Sequence, residues 1–344
     1  MPRPVVVREG VYAYTGGLPR GCQLCLRGEK IVVFVTGVCP RNCFYCPVSP
    51  HRLGRDVVYA DEERVANPEG IVREALAVGA RGASITGGEP LVRLGRVALI
   101  IERLKEALGD DFHIHLYTSG WGLTRHTVRM LEDVGLDELR IHPLTRRHWR
   151  LVELAVSARG SMSVGVEVPV LPDRVEELKE LMRYLEDIGA DFINLNEAEV
   201  APHRVESFEA RGYRVRGYVV EGSYEAGIEL VKWAAESLER LWVHFCPASY
   251  KDRVQHRNRL LRKALRTRLY YEEATERGTL QHLEAPCTGE ALRLVEEGYG
   301  VKMGGKCLLH PRVAERLRGV AWLVETYPDE GRKLLNKLPV RDSV

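Results

Sequence analysis

Thr36-Gly37-Val38-Cys39-Pro40-Arg41-Asn42-Cys43-Phe44-Tyr45-Cys46-Pro47 sets three cysteines at C-x3-C-x2-C spacing, directly after the apolar run 30–36. Thiolates hold iron–sulfur clusters, commonly four to a cluster. Three leave one iron open to a small molecule, whereas a fully ligated cluster only passes electrons. A structural zinc site would instead prefer four ligands, usually in two C-x2-C pairs. Eight cysteines occur in all, and five fall before residue 47: Cys22, Cys25, Cys39, Cys43 and Cys46. In a reducing cytosol such clustering reads as metal ligation rather than as disulfides.

Outward from this loop, short β-rich runs alternate with helix-like segments. The strands are expected at 30–36, 82–86, 112–118, 138–142, 162–168 and 191–195, with 241–245 extending the sheet. Helices are expected at 70–78, 97–108, 124–134, 148–157 and 174–188. Asn67-Pro68-Glu69 offers an N-cap, a proline in the first turn and an acid at the positive helix end. Gly79, Gly109, Gly135 and Gly189 stand where helices should stop. The phrase of helix, glycine and apolar strand is a βα repeat, hence a parallel sheet with right-handed crossovers. The fold class is therefore α/β: an open, partial TIM barrel of about six βα units, with chemistry at the C-terminal strand ends. Three regions follow: an N-terminal segment 1–29, the barrel 30–246, and a mixed α/β C-terminal extension 247–344.

Lys and Arg number 50 against 48 Asp and Glu, so net charge names no partner. No apolar run approaches the roughly 18 residues that span a bilayer, and the first residues lack a signal-peptide core. A cytoplasmic protein with no membrane association is expected.

A second motif, Ser84-Ile85-Thr86-Gly87-Gly88-Glu89-Pro90, closes the next strand. Glycines there let backbone approach a ligand closely. Together, C-x3-C-x2-C and Gly-Gly-Glu-Pro one βα unit later resemble the radical SAM superfamily, over roughly residues 30–200. The remainder is similar to archaeal proteins related to pyruvate formate-lyase activating enzyme. The resemblance implies that Cys39, Cys43 and Cys46 hold a [4Fe–4S] cluster whose free iron binds S-adenosylmethionine (SAM). It also implies reductive cleavage to a 5′-deoxyadenosyl radical, fed by an electron donor such as ferredoxin or flavodoxin. Tyr45 would pack near the adenine. Gly87, Gly88 and Glu89 would meet the methionine ammonium. Thr118 and Ser119, in Tyr117-Thr118-Ser119-Gly120, stand where relatives carry Thr-Asn-Gly and would touch the sugar or carboxylate. Glu167, in Gly165–Pro169, sits on the strand that supports the adenine, and Asn194, in Asn194-Leu195-Asn196-Glu197, ends the next. His113, His115 and His142 read as structural histidines.

Cys22-Gln23-Leu24-Cys25 needs further ligands, and Cys246 with Cys287 or Cys307 could supply them. That set makes a second [4Fe–4S] cluster the leading reading, with structural zinc and free thiols as alternatives. Residues 251–268 carry Lys or Arg at eight positions against one acid. Such a run reads as a phosphate-binding surface or as a solvated, ion-paired helix face. Three functions follow: a radical SAM enzyme acting on RNA, one acting on a metabolite or protein (glycyl-radical activation included), or a non-catalytic, zinc-stapled RNA-binding protein.

Overall fold

The structure, a computed structural model, describes residues 2–341. Met1 and residues 342–344, which the expected terminal segments include, lie outside the described residues. The chain divides into two compact units, Met1–Ala75 with Ala80–Gln255, and Leu76–Gly79 with His256–Val344.

The first unit is built on seven parallel strands, one beyond the six expected βα units: β1 (Lys30–Phe34), β2 (Gly82–Thr86), β3 (His113–Thr118), β4 (Glu138–Ile141), β5 (Ser163–Val170), β6 (Phe192–Glu197) and β7 (Trp242–Cys246). They lie side by side in chain order. The sheet does not close. Beyond β1 it continues into the short antiparallel strands Tyr59–Ala60 and Glu63–Arg64, and beyond β7 into Tyr12–Thr15 and Val5–Arg8. The expected open, partial barrel is the observed one. Its helices start and stop on the signals read in the sequence. Asn67 Oδ1 accepts from Gly70 N at 3.1 Å to start Pro68–Val78, and Gly189, at φ 74°, ends Val175–Ile188 in the left-handed conformation.

Along most of these strands a fully buried apolar series alternates with a buried polar one. Ile31, Val33, Ala83, Ile85, Ile114, Leu116, Leu139, Ile141, Val164, Val166, Ile193 and Leu195 are fully buried. The intervening positions carry Lys30, Ser84, His115, Glu138, Arg140, Asn194 and His244, all buried. Side chains alternate across a strand, so this second series shares one face. Lys30 pairs with His115, Arg140 with Glu138 and Asn194 with His244, so this face is a polar interior.

The second unit contains a mainly antiparallel sheet, in the spatial order Gly300–Met303, Lys306–Leu309, Leu280–Pro286, Trp322–Thr326, Leu334–Pro339. Leu283, Ala285, Leu294, Leu309 and Leu317 are among the residues of its core. Here the cysteine reading is corrected. Cys287 and Cys307 form a disulfide with Cα atoms 4.9 Å apart. The register sets Ala285 opposite Cys307 and Pro286 opposite Lys306, which brings Cys287, just past the strand end, back to Cys307. Neither is then a thiolate, and neither can serve Cys22, Cys25 and Cys246 as a cluster ligand.

Candidate functional site

A cavity of about 780 Å³ opens at the C-terminal ends of the parallel strands. Cys39, Cys43 and Cys46 form one wall. All three are half-buried, with no disulfide partner. Burial holds the thiols of Cys39 and Cys43 above their ordinary range, and Arg41 N–H donates to Cys39 Sγ at 3.4 Å.

The loop owes its shape to close backbone packing. A Cβ on Gly37 would fall 1.7 Å from Arg52 O, and one on Gly88 would fall 2.6 Å from Val38 O. The Gly-Gly-Glu-Pro turn is therefore stacked backbone to backbone under the cysteine loop, and Glu89 N–H donates to Val38 O at 2.9 Å. Opposite this contact, Phe44 is held in an aromatic nest. Phe208 lies 5.1 Å away, Tyr213 stacks on it at 6.2 Å, and the Arg211 guanidinium sits 4.4 Å over its ring. Arg204 Nε donates to Cys46 O at 3.3 Å. Residues 198–222, between β6 and the helix Ser223–Ser237, supply that nest.

Of the residues read from the sequence, Tyr45, Gly87, Gly88, Thr118, Ser119 and Glu167 line the cavity with the three cysteines. Glu89 does not; it is buried beneath. Its carboxylate accepts from Leu91 N (3.1 Å), Thr118 Oγ1 (2.6 Å), Ser119 N (2.8 Å) and Ser119 Oγ (2.5 Å). Those four donors fill both oxygens and tie the end of β2 to the end of β3. Asn194 also lies below the cavity. Its Nδ2 donates to Glu167 Oε2 at 3.1 Å and its Oδ1 faces His244 at 3.2 Å, while Asn196, two residues on, reaches the cavity and donates to Glu167 at 2.9 Å.

Glu167 joins the cavity to the polar interior. Arg140 donates to it at 2.7 Å and pairs on its other side with Glu138 at 2.5 Å. Burial alone would raise the Glu167 carboxyl. The Arg140 charge and the amides of Asn196 and Asn194 outweigh it and hold the group down to about 2. Arg140 also reaches Tyr117 Oη (3.1 Å) and Cys22 Sγ (3.4 Å). Cys22 is thus built into this network. Cys25 and Cys246 have no disulfide partner either.

Several lining residues were not read as functional. His142, taken as structural, faces the cavity with Nε2 2.8 Å from Tyr45 Oη. Lys251, assigned to the C-terminal extension, lines the opposite wall 2.5 Å from Glu199, beside Glu197. Its signal was available, because it follows β7 as the cysteine loop follows β1. Three further arginines of the basic segment are engaged elsewhere. Arg257 donates to Glu276 O, Arg262 to Gly79 O and Arg266 to Leu76 O.

The wall fits an iron–sulfur cube better than a lone ion. Three thiols without disulfide partners lie along one loop at C-x3-C-x2-C spacing. Zinc would need four donors about 2.3 Å from one point, whereas a cube holds its thiolates on separate corners. Three corners would be served by Cys39, Cys43 and Cys46, and the fourth iron would have no cysteine from this loop.

The parallel, open barrel carries its three-cysteine loop directly after its first strand, beside the cavity at the strand ends. Residues 33–147 match the Radical SAM superfamily. A protein of Methanocaldococcus jannaschii, provisionally named a glycyl-radical enzyme activating enzyme, is 34% identical over 275 residues, covering 76% of this chain and 72% of that protein. The chain belongs to the radical SAM superfamily. A provisionally named GTP 3′,8-cyclase of Methanococcus maripaludis is 28% identical over 191 residues, covering 50% of this chain and 61% of the cyclase. Among solved structures, Streptococcus suis SuiB bound to S-adenosylmethionine aligns with a TM-score of 0.45 and 15% identity, covering 64% of this chain and 50% of SuiB. Family membership makes the chain an enzyme and sets aside the zinc-stapled, non-catalytic reading. Among the described residues, no helix is long and apolar enough to cross a membrane.

Proposed function

We propose that this chain is a radical SAM enzyme that removes a hydrogen atom from a glycine-bearing segment of a partner protein. The observation that carries the substrate class is the likeness to the Methanocaldococcus protein over 72% of its length, together with that protein's name. The cavity supports it, opening where a chain segment could approach the cysteine wall.

When bound, the cluster with SAM supplies one-electron cleavage of the SAM S–C5′ bond, the electron coming from a ferredoxin or flavodoxin, to give methionine and a 5′-deoxyadenosyl radical that takes the hydrogen. Cys39, Cys43 and Cys46 are the ligands. The Gly87-Gly88 backbone lies against the methionine end, and Tyr45 against the adenine. Glu89 holds the ends of β2 and β3 together through Thr118 and Ser119; its filled oxygens argue against the ammonium contact expected from the sequence. Glu167 and Asn196 present polar edges to the ligand, and Asn194 orients Glu167 from below. Lys251 with Glu199, and Glu197 beside them, form the polar wall that a substrate meets.

One cluster per chain is proposed. Cys22 is engaged by Arg140, and Cys287 with Cys307 is a disulfide, so a second set would keep only Cys25 and Cys246. Iron near four per chain is expected, against about eight for two clusters. A cytoplasmic location is proposed because the electron carriers named above work there. RNA loses the feature that suggested it, since much of the basic segment is bonded within the chain.

The substrate reading is tested by anaerobic 5′-deoxyadenosine yield in three incubations: a nucleic-acid-free protein fraction of the source cells, total RNA, and GTP. Stimulation by the protein fraction alone is expected. Stimulation by GTP or RNA alone would overturn the protein-substrate reading.

A further inference from the structure

Tyr45 stands between two spaces. The main cavity lies on one side. On the other is a side pocket of about 50 Å³, lined by Pro143, Leu144, Trp149, Leu178 and Leu181 among others. Tyr45 and His142 line both. The side pocket exceeds the volume of one water, about 30 Å³. Packing therefore does not fully hold the ring on that face. Phe44 meets it edge-on at 4.9 Å and the apolar cluster of Leu171, Ala198 and Phe208 packs against it, while its hydroxyl lies 2.8 Å from His142 Nε2 and also hydrogen-bonds with Cys43.

Burial favours the neutral ring of His142, and the neutral ring can make that bond in one tautomer only. Its Nδ1 lies 2.8 Å from the Glu167 carbonyl oxygen, which accepts and cannot donate. The Nδ1 therefore carries the proton, Nε2 accepts, and the Tyr45 hydroxyl donates. The imidazole is anchored to the backbone of β5, and the tyrosine is anchored to the imidazole.

We propose that His142 is a positioning residue for SAM: it holds the Tyr45 ring upright as the wall of the adenine subsite and keeps it out of the side pocket. This rests on the reading above that Tyr45 lies against the adenine. His142 then acts on SAM through Tyr45, not by its own contact. That indirect route separates a positioning role from direct binding.

The test is SAM affinity of the reconstituted holoenzyme, measured by anaerobic calorimetry with the cluster oxidised so that no turnover occurs, and melting temperature as the control for folding. His142→Ala and Tyr45→Phe should each weaken SAM about tenfold, the effect of losing one hydrogen bond. The double variant should match either single one. His142→Gln should return to within about threefold of wild type, because its amide donates to the Glu167 carbonyl and accepts from Tyr45. Should His142→Ala fail to fold, Tyr45→Phe reports the same bond while keeping the ring. A double variant weakened about a hundredfold would show independent contacts and overturn the proposal, as would unchanged affinity in Tyr45→Phe or a folded His142→Gln no better than Ala. Wild type that binds no SAM would overturn the parent reading, and this one with it.

Discussion

The cysteine wall and the interior beneath it differ in how completely their polar groups are used. Cys39, Cys43 and Cys46 have no disulfide partners and face open space. A strand's depth below, Arg140 spends its guanidinium on Glu138, Glu167, Tyr117 and Cys22. Weakly engaged thiols on a cavity wall suit ligand binding. Saturated charge marks where the barrel keeps its shape. Buried ion networks of the second kind are costly to interrupt, because each lost partner leaves a desolvated charge behind.

That contrast breaks if both regions respond alike to mutation. The largest effect is expected for Cys39→Ala/Cys43→Ala/Cys46→Ala, which should lose essentially all reconstituted iron while its melting temperature stays near that of the unreconstituted wild type. Retention of about four irons would place the cluster elsewhere and revive Cys22, Cys25 and Cys246. Arg140→Met should do the reverse. It strands Glu138 and Glu167 in the interior and should cost about 3–5 kcal/mol in denaturant unfolding. A loss under about 1 kcal/mol would mean that the network carries no structural weight.

Smaller changes sharpen the same division. Cys287→Ser with Cys307→Ser removes a bridge between residues 20 apart and should cost about 3 kcal/mol, with iron content and 5′-deoxyadenosine yield unchanged. A fall in iron would restore these cysteines as ligands. Glu89→Ala frees the donors of Thr118 and Ser119. It should cost about 1.5–3 kcal/mol of stability, a loss that a pure SAM-binding role would not produce.

A pH-dependent effect is expected in the acid limb of the stability curve. Glu167 is held down to about 2 in the fold, below the ordinary glutamate value of about 4.3. A depressed carboxyl stabilises the fold above the unfolded value and loses that contribution as pH falls toward the folded one. Between about pH 4.3 and 2, wild type should therefore lose stability more steeply than Glu167→Gln. Parallel curves would show that Glu167 carries no depressed carboxyl.

The parts of this account that were legible in the sequence are local. The cysteine triplet, Gly87-Gly88-Glu89-Pro90 and the helix-cap signals each lie within a dozen residues, and spacing along one strand end is kept through folding. The parallel order followed because βα repeats leave few topologies. What stayed hidden is spread one residue to a strand. Lys30, His115, Glu138, Arg140, Glu167 and Asn194 each belong to a run that reads as apolar, and only side-by-side pairing of β1 to β6 gathers them on one face. His142 looked structural because its partner, Tyr45, is 97 residues away in sequence. Cys287 and Cys307 looked like spare ligands because the antiparallel pairing of their two segments, which brings them within bonding reach, leaves no mark on a list of cysteines.

The central claim is that the cysteine wall turns SAM into a radical source. Its most direct test is anaerobic release of 5′-deoxyadenosine from SAM after dithionite reduction, comparing reconstituted wild type with the triple cysteine variant. Wild type should release it and the variant should release none above the protein-free control. Equal release from both, or none from a wild type carrying about four irons, would contradict the account.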